Sequence, residues 1–139
     1  MTNALMVKTG VGEIKALYES LLNCKSVDFV CLATAYEEIL GNWYDQEFAP
    51  KLFASNTKTR EIIAETAGNR AYGKTKDGVK NSVRFMSYPG GQADLILSDT
   101  FAALVSFSKE NPYVVMIEDQ ELIASFRAQF SLLWDGATR

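Results

Sequence analysis

The 139-residue chain contains no histidine. That removes the imidazole as nucleophile, general acid or general base, so catalysis resting on it is excluded. It also excludes ordinary zinc sites, because only two cysteines, Cys24 and Cys31, remain as soft ligands. Two cysteines in a chain with an ample core are expected to stay thiols rather than form a disulfide. No run of about 18 apolar residues occurs, so no membrane-spanning helix is expected. The opening stretch MTNALMVKTG has no apolar h-region, so no signal peptide is read there and a cytoplasmic setting is expected. Excess positive charge is missing too. With a net charge of −3, no overall basic field draws the chain to nucleic acid or an anionic membrane.

What is present describes a globular domain. An apolar fraction of 47% and an aromatic fraction of 12% supply a core and argue against disorder. The length fits one domain, residues 1–139. Ile14, Leu17, Tyr18, Leu21 and Leu22 recur at helical spacing and predict an amphipathic helix over residues 12–24. The run VDFVCLA, residues 27–33, predicts the first strand, apolar enough to be covered on both faces. Leu40, Tyr44, Phe48 and Leu52 form a stripe at a spacing of four across residues 36–58, with Pro50 either kinking one helix or starting a second. Arg60–Ala64 predicts another strand, and strand, helix, strand suggests a parallel crossover.

A short helix and a loop are expected over residues 65–81. Four short apolar runs follow: Ser82–Met86, Ala93–Leu97, Phe101–Phe107 and Tyr113–Ile117. Ser98-Asp99-Thr100 and Glu110-Asn111-Pro112 mark turns between them. Asp119 then caps a helix of about 16 residues. Its stripe of Leu122, Ile123, Phe126, Phe130, Leu133 and Trp134 is read as core packing. The pattern predicts an α/β domain with a mixed β-sheet flanked by helices on both faces.

The segment Gln92-Ala93-Asp94-Leu95-Ile96-Leu97-Ser98-Asp99 has the spacing of the phospholipase D signature: His, any residue, Lys, four residues, Asp. Gln92 stands at the His position and Asp94 at the Lys position; only Asp99 matches. Ser106-Phe107-Ser108-Lys109 stands where that superfamily has Gly-Ser-any-Asn. Further stretches carry a narrower likeness. They are Gly12-Glu13-Ile14-Lys15-Ala16-Leu17-Tyr18, Thr59-Arg60-Glu61-Ile62-Ile63, Val83-Arg84-Phe85-Met86, and Val114 through Leu122. Phe126-Arg127-Ala128-Gln129-Phe130 and Leu132-Leu133-Trp134 follow. Over roughly residues 7–136 the chain resembles the phospholipase D-like half-domain that follows the DNA-binding head in TrmB-type transcription regulators.

The resemblance implies a catalytically degenerate frame. Phospholipase D-type catalysis uses one histidine as nucleophile, a second as general acid, and lysines to hold the phosphate. Gln92 is a poor nucleophile, and Asp94 repels a phosphate. The residues before Gly12 are too few for a winged-helix head, so neither DNA nor sugar binding is expected here. The resemblance also implies a homodimer, two half-domains meeting across a two-fold with the Gln92/Asp94 face near the axis.

The leading expectation is therefore a non-enzymatic module related to transcription regulators, which binds a small-molecule effector or pairs subunits, with no cofactor. Two alternatives stay open: a metal-dependent phosphodiesterase or nuclease using carboxylates, and an adaptor for another protein chain. Asp94 and Asp99 as a cation site are set against Asp99 as a turn residue, and the turn is preferred because strand alternation need not bring the two together. Arg70, Lys74, Lys76, Lys80 and Arg84 form a basic stretch that reads as a solvated loop or an anion pocket. Thr34, Tyr88, Gly90, Gly91 and Gln92 are the candidate ligand-binding residues, since they flank strand ends and the glycines admit close approach.

Overall fold

The computed structural model describes residues 4–88 and 90–139. Its centre is a seven-stranded mixed sheet, β1 (Leu5–Thr9), β2 (Ser26–Cys31), β3 (Lys58–Ala64), β4 (Asn81–Met86), β5 (Ala93–Ser98), β6 (Ala102–Ser106) and β7 (Tyr113–Ile117), in the order β1-β7-β6-β5-β2-β3-β4. β2, β3 and β4 are mutually parallel, while β5, β6, β7 and β1 pair antiparallel. The α/β class, the mixed sheet and the parallel crossover expected from the sequence are all present.

Alternation along the strands divides the core in two. On one face Phe29, Ile96, Ala103, Val105 and Val114 pack against α1 (Val11–Leu21), α2 (Tyr36–Leu40) and α3 (Ala49–Ala54). On the other, Ile62, Leu97, Ala102 and Ile117 pack against Ile123 and Phe130 of α5 (Gln120–Gly136). α4 (Ala67–Lys74) crosses from β3 to β4.

Several expectations need correction. The strand at residues 27–33 is the second in the chain. β1 precedes it as an edge strand paired only with β7, and its Leu5 and Val7 are exposed, so it lacked the pattern of burial that marks a core strand. β2 also ends at Cys31; Ala33 makes only an isolated bridge to Gly91. The stripe over residues 36–58 is not one helix. α2 stops at Gly41, a π-helical turn covers Tyr44–Phe48, and Pro50 sits in the first turn of α3, where its missing N–H costs nothing. Leu40, Phe48 and Leu52 of that stripe are nonetheless buried.

In α5, Asp119 accepts a hydrogen bond from Leu122 N–H at 3.0 Å, the expected cap. Leu122 and Leu133 are exposed, so the buried stripe is narrower than predicted. Phe130 and Trp134 do more than fill space. The Arg60 guanidinium lies over both rings, at 4.9 and 5.5 Å, while bridging to Asp28, and Arg84 lies over Trp134 at 4.4 Å.

Candidate functional site

The carboxyl ends of β2 and β3 open into a cavity of about 360 Å³. Such ends are where open α/β sheets hold ligands. Its floor comes from strand alternation. Arg60 and Ile62 point to the α5 side, so Glu61 and Ile63 point to the other, beside Phe29 and Cys31 of β2. Asp94, opposite Cys31 on β5, points the same way. The walls come from four tyrosines: Tyr18 of α1, Tyr36 of α2, Tyr44 of the π-helical turn and Tyr72 of α4. The π turn brings Tyr44 within 5.6 Å of Tyr18 and 6.2 Å of Tyr36, ring centre to ring centre.

Two buried carboxyls anchor this arrangement. Tyr36 donates its hydroxyl to Asp94 Oδ2 at 2.6 Å, and the Ala33 N–H donates to Oδ1 at 3.1 Å. Tyr72 donates to Glu61, at 2.8 Å from Oε2 and 3.0 Å from Oε1. Both residues are close to fully buried, Glu61 4% and Asp94 2% exposed. Burial disfavours their charged forms and pushes Glu61 up to about 7, with the Tyr72 hydrogen bond and the Lys76 charge opposing. Burial likewise raises Asp94 to about 6, against the hydrogen bonds from Tyr36 and Ala33. The Cys31 thiol, between them, is raised by burial and then by Asp94 and Glu61. It is held as a thiol, a poor nucleophile.

Charge selects what can enter. The lining includes Glu61 and no lysine or arginine. Lys76 Nζ lies over the rings of Phe53, at 3.3 Å, and Tyr72, at 4.7 Å. Among the lining residues an anion would meet the Glu61 carboxyl and aromatic faces with no cation to hold it, whereas a hydrogen-bond donor would meet acceptors.

Asp94 is thus held behind the cavity wall by Tyr36. Gln92 is exposed, its carbonyl accepting from Phe107 N–H at 2.6 Å. Asp99 is exposed in the β5–β6 turn and lies 3.4 Å from the Lys25 N–H that donates to it. The two aspartates face different surroundings at opposite ends of β5 and do not converge on one cation. Among the described residues, no group of three or more Cys, Asp or Glu side chains is placed to hold a metal ion.

Thr34 lines the cavity at its rim. Its N–H donates to the Gly91 carbonyl at 3.1 Å. Gly90 has φ +99°, and a Cβ there would stand 3.3 Å from Thr34 Cγ2. Gly90 and Gly91 therefore brace the rim from behind. Tyr88 is exposed and packs over Gly91.

The basic stretch does not assemble into one anion pocket. Arg70 pairs with Glu65 at 2.7 Å and stacks on Phe85, and Lys74 is exposed. Lys76 packs on Phe53 and Tyr72, Lys80 donates to the Phe53 carbonyl, and Arg84 lies across the sheet against Trp134. All but the exposed Lys74 are occupied locally, and the β-sheet separates Lys76 from Arg84. Cys24, two residues before β2 begins, and Cys31, its last residue, are free thiols. A strand of that length separates them well beyond disulfide reach of about 7 Å.

Sequence reading missed Glu61, Tyr36, Tyr44, Tyr18, Tyr72 and Cys31 as a group. One signal was available: Glu61 interrupts the apolar strand Arg60–Ala64, on the side where an uncharged residue would be expected.

No family model matches the sequence, and no curated protein matches it. Solved structures do. TrmBL2, an archaeal chromatin protein with its own mode of DNA binding, superposes with a TM-score of 0.68 at 16% identity over 99% of this chain and 54% of that one. The chain therefore spans about half the length of TrmBL2. NucT from Helicobacter pylori gives 0.69 at 11% identity over 96% of this chain and 97% of that one. Nuc from Salmonella typhimurium, a phospholipase D family member, gives 0.65 at 17% identity over 96% of both chains. The chain has the phospholipase D-like fold shared by NucT, Nuc and TrmBL2.

Proposed function

We propose that this domain is a ligand-binding module on a phospholipase D-like frame, not a phosphodiesterase. The observation that carries the reading is Asp94. At the position where the sequence signature calls for a phosphate-holding lysine, it is buried and bonded to Tyr36 beside a cavity without lysine or arginine. A phosphoryl group there would be repelled, and no imidazole exists to attack it. A module of this kind suits the effector half of a transcription regulator, the role that the sequence resemblance to TrmB-type regulators implies, and the fold is shared with the chromatin protein TrmBL2. Direct DNA contact is not part of the proposal, because the basic residues are dispersed and the net charge is −3.

The test is hydrolysis of bis(p-nitrophenyl) phosphate and of single-stranded DNA, each with Mg²⁺, Mn²⁺ or EDTA. The proposal predicts no turnover above a buffer blank in any condition. Metal-dependent turnover abolished by Asp94→Ala would establish the carboxylate enzyme in its place.

A further inference from the structure

The geometry points to a small organic cation, an aromatic or aliphatic primary amine, as the ligand of the tyrosine-walled cavity, with Glu61 as its counter-charge. This rests on the reading of the cavity as a ligand site and adds the class of ligand. Three independent features carry it.

The first is Glu61 itself. Its two oxygens share a single hydroxyl donor, Tyr72, while an ionised carboxylate offers about four acceptor positions. Among the described residues it has no ion pair: Lys76 is held over the outer aromatic rings of Phe53 and Tyr72. A buried carboxylate so placed gains most from a donor that carries positive charge.

The second is Tyr18. It is 1% exposed, lines the cavity, and makes no side-chain hydrogen bond among the described residues. Every fully buried polar side-chain atom described has a partner, so the Tyr18 oxygen is open to the cavity space. Its ring is fixed by edge contacts to Phe48 at 5.2 Å and Tyr44 at 5.6 Å. A hydroxyl held this rigidly is a positioned partner that accepts from an ammonium N–H and keeps its own proton to donate.

The third is the wall. Aromatic faces attract an ammonium through the ring quadrupole. Tyr36 and Tyr72 already donate their protons to Asp94 and Glu61, so toward the cavity their oxygens remain acceptors. The lining therefore presents one carboxylate, phenol oxygens and π faces, with Tyr18, Tyr44, Asn69 and two threonines supplying only neutral donors. An anion finds no cationic partner there.

Titration provides the signature. The groups facing Glu61 are Tyr72 and Lys76 from the α4 side, Cys31 from β2, and Tyr44 from the π turn. Tyr44 and Cys31 stay protonated as pH rises through neutrality, since burial raises both. Asp94, titrating near 6, and Glu61, near 7, are the groups that change charge between pH 5.5 and 8. An amine that requires ionised Glu61 binds about thirtyfold more tightly at pH 8 than at pH 5.5.

The experiment is calorimetric titration of the whole chain with benzylamine and tyramine, and with benzoate, inorganic phosphate and glucose as probes of other classes. The inference predicts that only the amines bind, more tightly at pH 8. It also predicts that Glu61→Gln, shown folded by its thermal melt, weakens them at least tenfold and flattens the pH profile. Amine binding that ignores pH and survives Glu61→Gln overturns the inference. Benzoate, phosphate or glucose binding that Tyr18→Phe weakens overturns the ligand class and leaves a ligand cavity standing. Silence from every probe overturns the inference and counts against the ligand-site reading as well.

Discussion

Glu61 sits where an apolar residue would make a more stable protein. The unfolded chain ionises it near 4.5, and the folded chain near 7. Because the folded value is the higher, the associated stability is fully present below about pH 4.5 and is lost as pH rises through about 7. The loss for this one group is about 3 kcal/mol. Asp94 adds a loss of the same sign, complete by a slightly lower pH because it titrates near 6. Urea melts of wild type should therefore show stability falling from pH 4.5 to 8, after allowance for the surface carboxylates. Glu61→Gln, which keeps an acceptor for Tyr72 and has no proton to lose, should fall less and be more stable than wild type at pH 8. Equal slopes for the two proteins would mean that Glu61 is ordinary and solvated. A carboxyl kept at such a cost suggests use, and the cavity beside it supplies one.

At the scale of elements, α4 holds one wall of the cavity through Tyr72, and its distance from the sheet is set by Gly73. A Cβ at Gly73 would stand 2.8 Å from the Phe85 ring, which is itself buried on β4. Gly73→Ala should therefore push α4 outward, lowering stability by about 1–3 kcal/mol although alanine favours a helix. Thermal melts measure the loss, and amide hydrogen exchange should localise it to residues 67–74 and β4. An increase in stability would mean that the helix relaxes freely and that Tyr72 is not held against Glu61.

The same elements show what the sequence made legible. The four runs after residue 81 became strands because each is short, apolar and bounded by turn residues, and Asp119 capped its helix because its geometry is local. Pro50 allowed two outcomes, and the structure takes the helix start. β1 was invisible because an edge strand with exposed Leu5 and Val7 carries no burial signal. The site was harder. Tyr18, Tyr36, Tyr44 and Tyr72 come from four separate elements, and neighbours in space across them leave no spacing to read. A glutamate within a strand reads as solvent-facing by default, whereas Glu61 faces inward. The Gln92–Asp99 signature falls on β5 and includes Asp94, but nothing in it points to the hydroxyl that holds that carboxyl.

For the whole molecule, the fold is shared by a phospholipase D family member and by a DNA-binding chromatin protein, so the frame alone does not fix the chemistry. Pairing of two copies across a two-fold is the arrangement that the half-domain resemblance implies. Of the two residues expected near that axis, Gln92 is exposed and Asp94 is buried, so only Gln92 could meet a partner. Light scattering with native mass spectrometry should give twice the 15.4 kDa chain mass. A monomer at micromolar concentration would favour an adaptor that needs a different chain.

The account turns on two buried carboxyls, Glu61 lining a tyrosine-walled cavity and Asp94 bonded behind its wall to Tyr36, in a phospholipase D-like fold. Carbon-13 NMR of protein labelled at the Asp and Glu carboxyls follows each proton directly. The account predicts midpoints near 6 and near 7, removed by Asp94→Asn and Glu61→Gln respectively, with the higher one moving down when tyramine is added. Titration of every carboxyl below about 5, unmoved by tyramine, would contradict it.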